Sequence, residues 1–163
     1  MKTFKRILVI LLIVLILIQF FRPARNISAG PSPADISTIY PVSANVNSVL
    51  EKACYDCHSN NTRYPWYVNI QPVAWWLDDH IREGKHDLNF SEFASYRIGK
   101  QYRKLEEVID LVKKGDMPLQ SYTIVHTDAK LTREEKVLLT SWADTLRNSI
   151  RQKYPPDSLI RKK

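Results

Sequence analysis

The chain predicts an all-α fold, a domain of four or five helices behind an N-terminal apolar helix. Three observations predict it. Apolar residues recur at three- and four-residue steps in several segments, the spacing of a helix with one buried face. Helix start and stop signals stand at the ends of those segments. No segment alternates apolar and polar residues as a half-buried strand would.

The first element is apolar. Lys2, Lys5 and Arg6 precede a run from Ile7 to Phe21 in which Gln19 is the only polar residue. A basic stretch before a hydrophobic core is the layout of an export signal. At about 1.5 Å per residue the run covers roughly 22 Å, short of the ~30 Å hydrocarbon core of a bilayer. Its length fits a signal peptide. However, no small-x-small triplet follows Phe21 closely, and Ser28-Ala29-Gly30 is followed by Pro31. Residues 1–21 are therefore expected as a transmembrane or signal helix, with a retained single-pass anchor favoured. Residues 22–43, rich in Pro, Ser and Ala without helical period, are expected as a flexible tether.

Residues 44–154 form the expected domain. Val46, Val49, Leu50, Ala53 and Cys57 trace an amphipathic helix. Pro72 opens a second helix, Val73 to about Arg82, closed by Gly84, and Ser91 caps a third stretch. From Gln101 the set Leu105, Val108, Ile109 and Val112 marks a helix that stops at Gly115. Thr132 with Glu135 forms a capping box for a last helix carrying Leu138, Trp142, Leu146 and Ile150. Pro155-Pro156 ends it, leaving residues 155–163 as a basic tail.

Taking Lys2, Lys5 and Arg6 from the net charge of +7 leaves +4 for residues 22–163. That balance is mild and scattered, and the aromatics do not interleave with basic residues as a base-stacking platform would. No nucleic-acid partner is expected.

The chemistry lies in Cys54-Tyr55-Asp56-Cys57-His58. C-x-x-C-H is the spacing at which two thiols add to the vinyl groups of one haem while the following histidine ligates the iron. Other readings are weaker. A redox dithiol of thioredoxin type follows a strand in a β-α-β pattern, which is missing here. A zinc site needs three or four ligands, yet there is no third cysteine, and His80, His86 and His126 form no matching pair. A simple disulfide is the remaining alternative. Because haem is attached to C-x-x-C-H outside the bacterial inner membrane, the domain is expected to face the periplasm.

Gly115-Asp116-Met117-Pro118 offers a second axial ligand. A thioether opposite histidine raises the reduction potential and suits electron transfer. Met117 is the one methionine besides Met1, and the loop would present it from a stiffened backbone. His80 and His126 compete for the distal position, and His86, between Lys85 and Asp87, reads as solvated. Trp66, Tyr67, Trp75 and Trp76 supply large flat faces soon after His58 and are expected to pack on the haem.

Together these residues resemble the small bacterial haem-binding domain family of exported, often membrane-anchored c-type cytochromes. The likeness covers nearly all of residues 45–147. It rests on Cys54–Asn60, Tyr64-Pro65-Trp66-Tyr67, Pro72–Leu77, Leu88–Phe93 and Gly115–Leu119. The layout is also similar to small soluble cytochromes c. The resemblance implies helices gathered around one covalent haem c, cytochrome c-like, and it implies no particular partner. The leading expectation is a one-electron carrier, more an electron-transfer protein than an enzyme, with His58 and Met117 on the iron. It would sit on the bacterial inner membrane and serve redox partner proteins at or near it. The alternative is a peroxidase-like or gas-binding haem protein with an open distal site. A dithiol or zinc protein without haem is the third.

Overall fold

Side-chain caps at Ser43 and Thr132 satisfy orphan backbone groups at the starts of two helices, and Gly115 closes a third. The structure, a computed structural model, describes residues 2–160. Among them are eight α-helices and no β-strand: α1 (Lys2–Ile18), α2 (Ala44–Ala53), α3 (Tyr55–His58), α4 (Val73–Asp87), α5 (Ile98–Lys114), α6 (Gln120–Val125), α7 (Arg133–Lys153) and α8 (Pro156–Leu159). The all-α expectation holds. The count exceeds four or five because α3, α6 and α8 are too short to show a period in the sequence.

Ser43 caps α2 by accepting from the Val46 N–H. The Thr132–Glu135 capping box opens α7 with both reciprocal bonds made. Gly115, at φ 83°, closes α5 in the left-handed conformation that glycine adopts without strain. The third stretch is capped two residues earlier than expected. Asn89, and not Ser91, is the cap, its side chain accepting the Ser91 N–H at the start of a short 3-10 helix over Phe90–Ser95.

The core lies where α5 packs along α7 and α2 crosses α7. Leu50, Phe90, Phe93, Leu105, Leu139 and Ile150 are fully buried there. Each contributes about 1.5–3 kcal/mol by leaving water, and the edge-to-face contact of Tyr55 on Phe90 ties the start of α3 to this core.

Three expectations are corrected. Helix α4 does not stop at Gly84 but runs to Asp87, because Gly84 serves a close approach within the helix and its carbonyl accepts the Leu88 N–H that ends it. Residues 22–43 are docked rather than free. Ile36 is fully buried in the core, and the Ala94 N–H donates to Ala34 O at 2.8 Å. Asn26 donates through Nδ2 to Ser59 O (2.8 Å) and Thr62 Oγ1 (2.9 Å), beside an isolated antiparallel bridge between Ile27 and Asn61. These are single anchoring residues, which leave no periodic signal. Likewise the presumed tail begins with α8, whose Leu159 is buried; residues 161–163 lie outside the described residues.

The apolar N-terminus is helical, but α1 ends at Ile18. No helix among the described residues is long and apolar enough to cross a membrane. Gln19 sets the end, donating through Nε2 to Leu15 O (2.9 Å) while its Oε1 accepts the Gln71 N–H (2.9 Å).

Candidate functional site

Helix α2 delivers the cysteine motif. The Cys54 N–H still bonds Leu50 O, after which the backbone leaves the helical region at φ −128° and α3 begins. The His58 and Cys57 N–H groups both turn back onto Cys54 O, at 2.9 and 3.2 Å. Cys54, Cys57 and His58 thus belong to a single turn. Both thiols are free. Burial first, and second the charge of Cys57 on Cys54 and of Asp56 on Cys57, pushes Cys54 up to about 12 and Cys57 up to about 11. Both are protonated thiols at neutral pH.

His58 is held by its ring. Nδ1 lies 2.9 Å from Gly84 O and 2.9 Å from Leu88 O. Carbonyl oxygens only accept, so Nδ1 carries a proton, and in the neutral ring Nε2 keeps its lone pair. A ligating histidine is typically fixed in this way, with its second nitrogen donating to a backbone carbonyl. Gly84 makes the approach possible. A Cβ there would stand 2.7 Å from Cys57 O and 3.1 Å from Cys57 Cβ, so only glycine lets α4 come this close to α3.

Two cavities, of about 110 and 270 Å³, adjoin at this turn. Both are lined by Cys54, His58 and Met117, so the structure brings the two expected axial ligands to one groove. The inner wall is apolar, formed by Leu88, Phe90, Val108, Leu111 and Val112. The Met117 loop is held to the end of α5, with the Asp116 and Met117 N–H groups donating to Leu111 O at 3.0 and 3.3 Å.

Sequence reasoning missed a brace across the groove. Asp56 is buried between the cysteines. Its Oδ1 accepts from the Arg63 backbone N–H (3.1 Å) and Nε (3.2 Å), and its Oδ2 accepts the Tyr122 hydroxyl (2.7 Å). Burial and the neighbouring Asp56 drive the Tyr122 phenol well above its ordinary range. Because Tyr122 lies on α6, directly after the Met117 loop, this bond ties the loop to the cysteine turn. A carboxylate inside C-x-x-C was the available signal, since a buried charge requires partners.

The four aromatics expected on the haem, Trp66, Tyr67, Trp75 and Trp76, lie apart from both cavities. Trp66, Trp75 and Trp76 are exposed, and the Tyr67 hydroxyl pairs with His126 Nε2 at 2.6 Å. Aliphatic side chains of α5, Val108, Leu111 and Val112, line the inner cavity. His126 also stacks on Tyr122, with ring centres 4.3 Å apart, and stays outside the groove. His86 is solvated as expected. His80 lines the outer cavity. No three His, Cys, Asp or Glu side chains among the described residues converge to hold a metal ion, so the zinc reading lacks a ligand set.

A family model for a haem-binding domain matches residues 13–145, a stretch that includes Cys54, Cys57, His58 and Met117. No curated protein and no solved structure matches the chain.

Proposed function

The chain belongs to the haem-binding domain family, and from that premise we propose a periplasm-facing monohaem c-type cytochrome that carries one electron at a time. One observation carries the reading. His58 Nδ1 donates to Gly84 O and Leu88 O, which leaves Nε2 aimed for ligation on the same groove as Met117.

The residues present fit a covalent haem c. Cys54 and Cys57 would hold it by thioethers, His58 and Met117 would take the two axial positions, and the iron would supply a one-electron couple. Leu88, Val108, Leu111 and Val112 form an apolar wall of the groove. The low-dielectric wall they form, together with a thioether ligand, favours the reduced state. The basic, apolar N-terminus supports export and attachment of the domain to the inner membrane through α1, within reach of redox partner proteins there.

His80 favours a second reading. It lines the outer cavity, and with Nδ1 committed to Trp76 O at 2.8 Å it presents Nε2. Such a group would serve a haem enzyme or sensor whose distal position is open.

Spectroscopy of the protein made with the c-type maturation machinery tests both. Haem that survives acid–acetone extraction, with low-spin iron and no ready binding of carbon monoxide, is the result expected of the carrier. Complete extraction refutes covalent attachment, and ready carbon monoxide binding favours the open site.

A further inference from the structure

Three of the four tryptophans stand exposed on one stretch of chain, Trp66, Trp75 and Trp76, and that stretch grips the end of α1. The grip is specific. Gln71, only 1% exposed, donates from its backbone to Gln19 Oε1 (2.9 Å) and through Nε2 to Phe21 O (2.8 Å). The Trp75 indole N–H donates to the same Phe21 O at 2.8 Å. Arg25 donates to Asn69 Oδ1 at 3.1 Å, and Asn69 in turn donates to Trp66 O at 2.9 Å. The domain is thus fixed to the end of α1 through one face.

That face is apolar where a soluble surface would be polar. Trp66 is 76% exposed and Phe20 79%, with Phe21, Ile70, Trp75 and Trp76 also open to solvent. The patch continues the surface of α1, which is exposed and apolar from Ile7 to Leu17. Contiguous exposed apolar surface of this kind marks an interaction site. Tryptophan with arginine at the end of an apolar helix is the composition of a membrane–water interface. Arg22 and Arg25 add the charge that lipid phosphates attract.

We infer that the Trp66–Trp76 face docks into the lipid headgroup layer and seats the haem domain directly on the membrane surface. The proposal rests on the reading that α1 attaches the protein to the membrane. It commits to lipid as the occupant because the patch is continuous with α1 and bonded to its end. The groove of His58 and Met117 then has a fixed height and tilt above the bilayer, so a membrane-bound redox partner meets it in one orientation.

The test uses the full-length, haem-loaded protein in vesicles of phosphatidylethanolamine and phosphatidylglycerol carrying a diazirine on the headgroup-proximal acyl carbon. After photolysis, peptides are mapped by mass spectrometry. Lipid adducts on residues 66–76 as well as on α1 are expected, with residues 133–153 unlabelled. The triple variant W66S/W75S/W76S should keep its haem spectrum and lose at least tenfold of the adducts beyond α1. Adducts confined to α1 in a protein that stays with the vesicles overturn the docked face while leaving attachment intact. Protein that does not partition with vesicles at all overturns both. Cross-links from residues 66–76 to another protein in native membranes, without lipid adducts, would assign the face to a protein partner and overturn the proposal.

Discussion

His58 is oriented by two carbonyls, and the partner it would face is delivered by a loop that is itself pinned. Both facts are single-residue facts with single-residue consequences. Met117→Ala should abolish the weak sulfur-to-iron band at the red end of the oxidised spectrum, open the iron to carbon monoxide and lower the reduction potential, because a thioether favours the ferrous state. His80→Ala and His126→Ala should leave the band in place, since His126 is occupied with Tyr67. Tyr122→Phe keeps the ring that stacks on His126 but removes the hydroxyl that Asp56 Oδ2 accepts. A hydrogen bond to a charged partner contributes about 1.5–3 kcal/mol. The variant should therefore unfold at lower denaturant by about that amount. Its sulfur-to-iron band should also bleach at a lower temperature than the wild-type band, while the His58 side stays ligated. Bleaching at the wild-type temperature would show that the brace does not position the loop.

At the scale of elements, the contact of α3 with α4 bears on whether the site forms, and the ion pair joining α2 to α7 adds a small pH-dependent contribution to stability. Gly84→Ala places a Cβ 2.7 Å from Cys57 O, which is backbone and cannot swing aside. The helices must part, at a cost of about 1–3 kcal/mol, and His58 loses its acceptors. Haem yield should fall along with stability. Gly99→Ala, with a similar 2.8 Å contact to Ser158 O on the short α8, should cost stability and spare the haem spectrum. Lys52 and Glu135 bridge α2 and α7 at 2.6 Å. The Lys52 bond, and next the Thr132 N–H, hold the Glu135 carboxyl below the usual carboxylate range. A depressed carboxylate adds stability above its unfolded pKa of about 4.3, and that stability is lost as pH falls through the folded value. Glu135→Gln should cost about 0.5–1 kcal/mol at neutral pH. Thermal melts should show the difference from wild type vanish toward about pH 3. What was legible in the sequence follows the same division. Helices α2, α5 and α7 were readable from period and caps, and the cysteine turn from its C-x-x-C-H spacing. The bonds of His58 to Gly84 and of Tyr122 to Asp56 join residues 26 and 66 apart, so no local pattern encodes them. The exposure of Trp66, Trp75 and Trp76 was not legible either, because it depends on how distant elements pack and not on local spacing.

At the scale of the molecule, residues 22–43 decide whether the apolar N-terminus and the haem domain are two bodies or one. A tether would make the domain indifferent to its sequence. The fold argues otherwise, because Ile36 sits in the core at 0% exposure and the short turn it begins, Ile36–Thr38, packs on the Phe90–Ser95 segment. Asn26 meanwhile bonds the loop that follows His58. Deleting a buried isoleucine side chain leaves a cavity and costs about 2–5 kcal/mol. Ile36→Ala in the full-length, haem-loaded protein should lower unfolding stability by that amount and release the Ala94 amide, which donates to Ala34 O, to faster hydrogen exchange. Ile39→Ala, three residues on but exposed, serves as the control and should change stability by less than about 0.5 kcal/mol. Equal and small effects at both positions would return the segment to the role of a free linker. A loss at Ile36 alone means that the Asn26–Ile36 segment is part of the domain's packed body, so the end of α1 is joined to the groove by docked chain and not by a free linker.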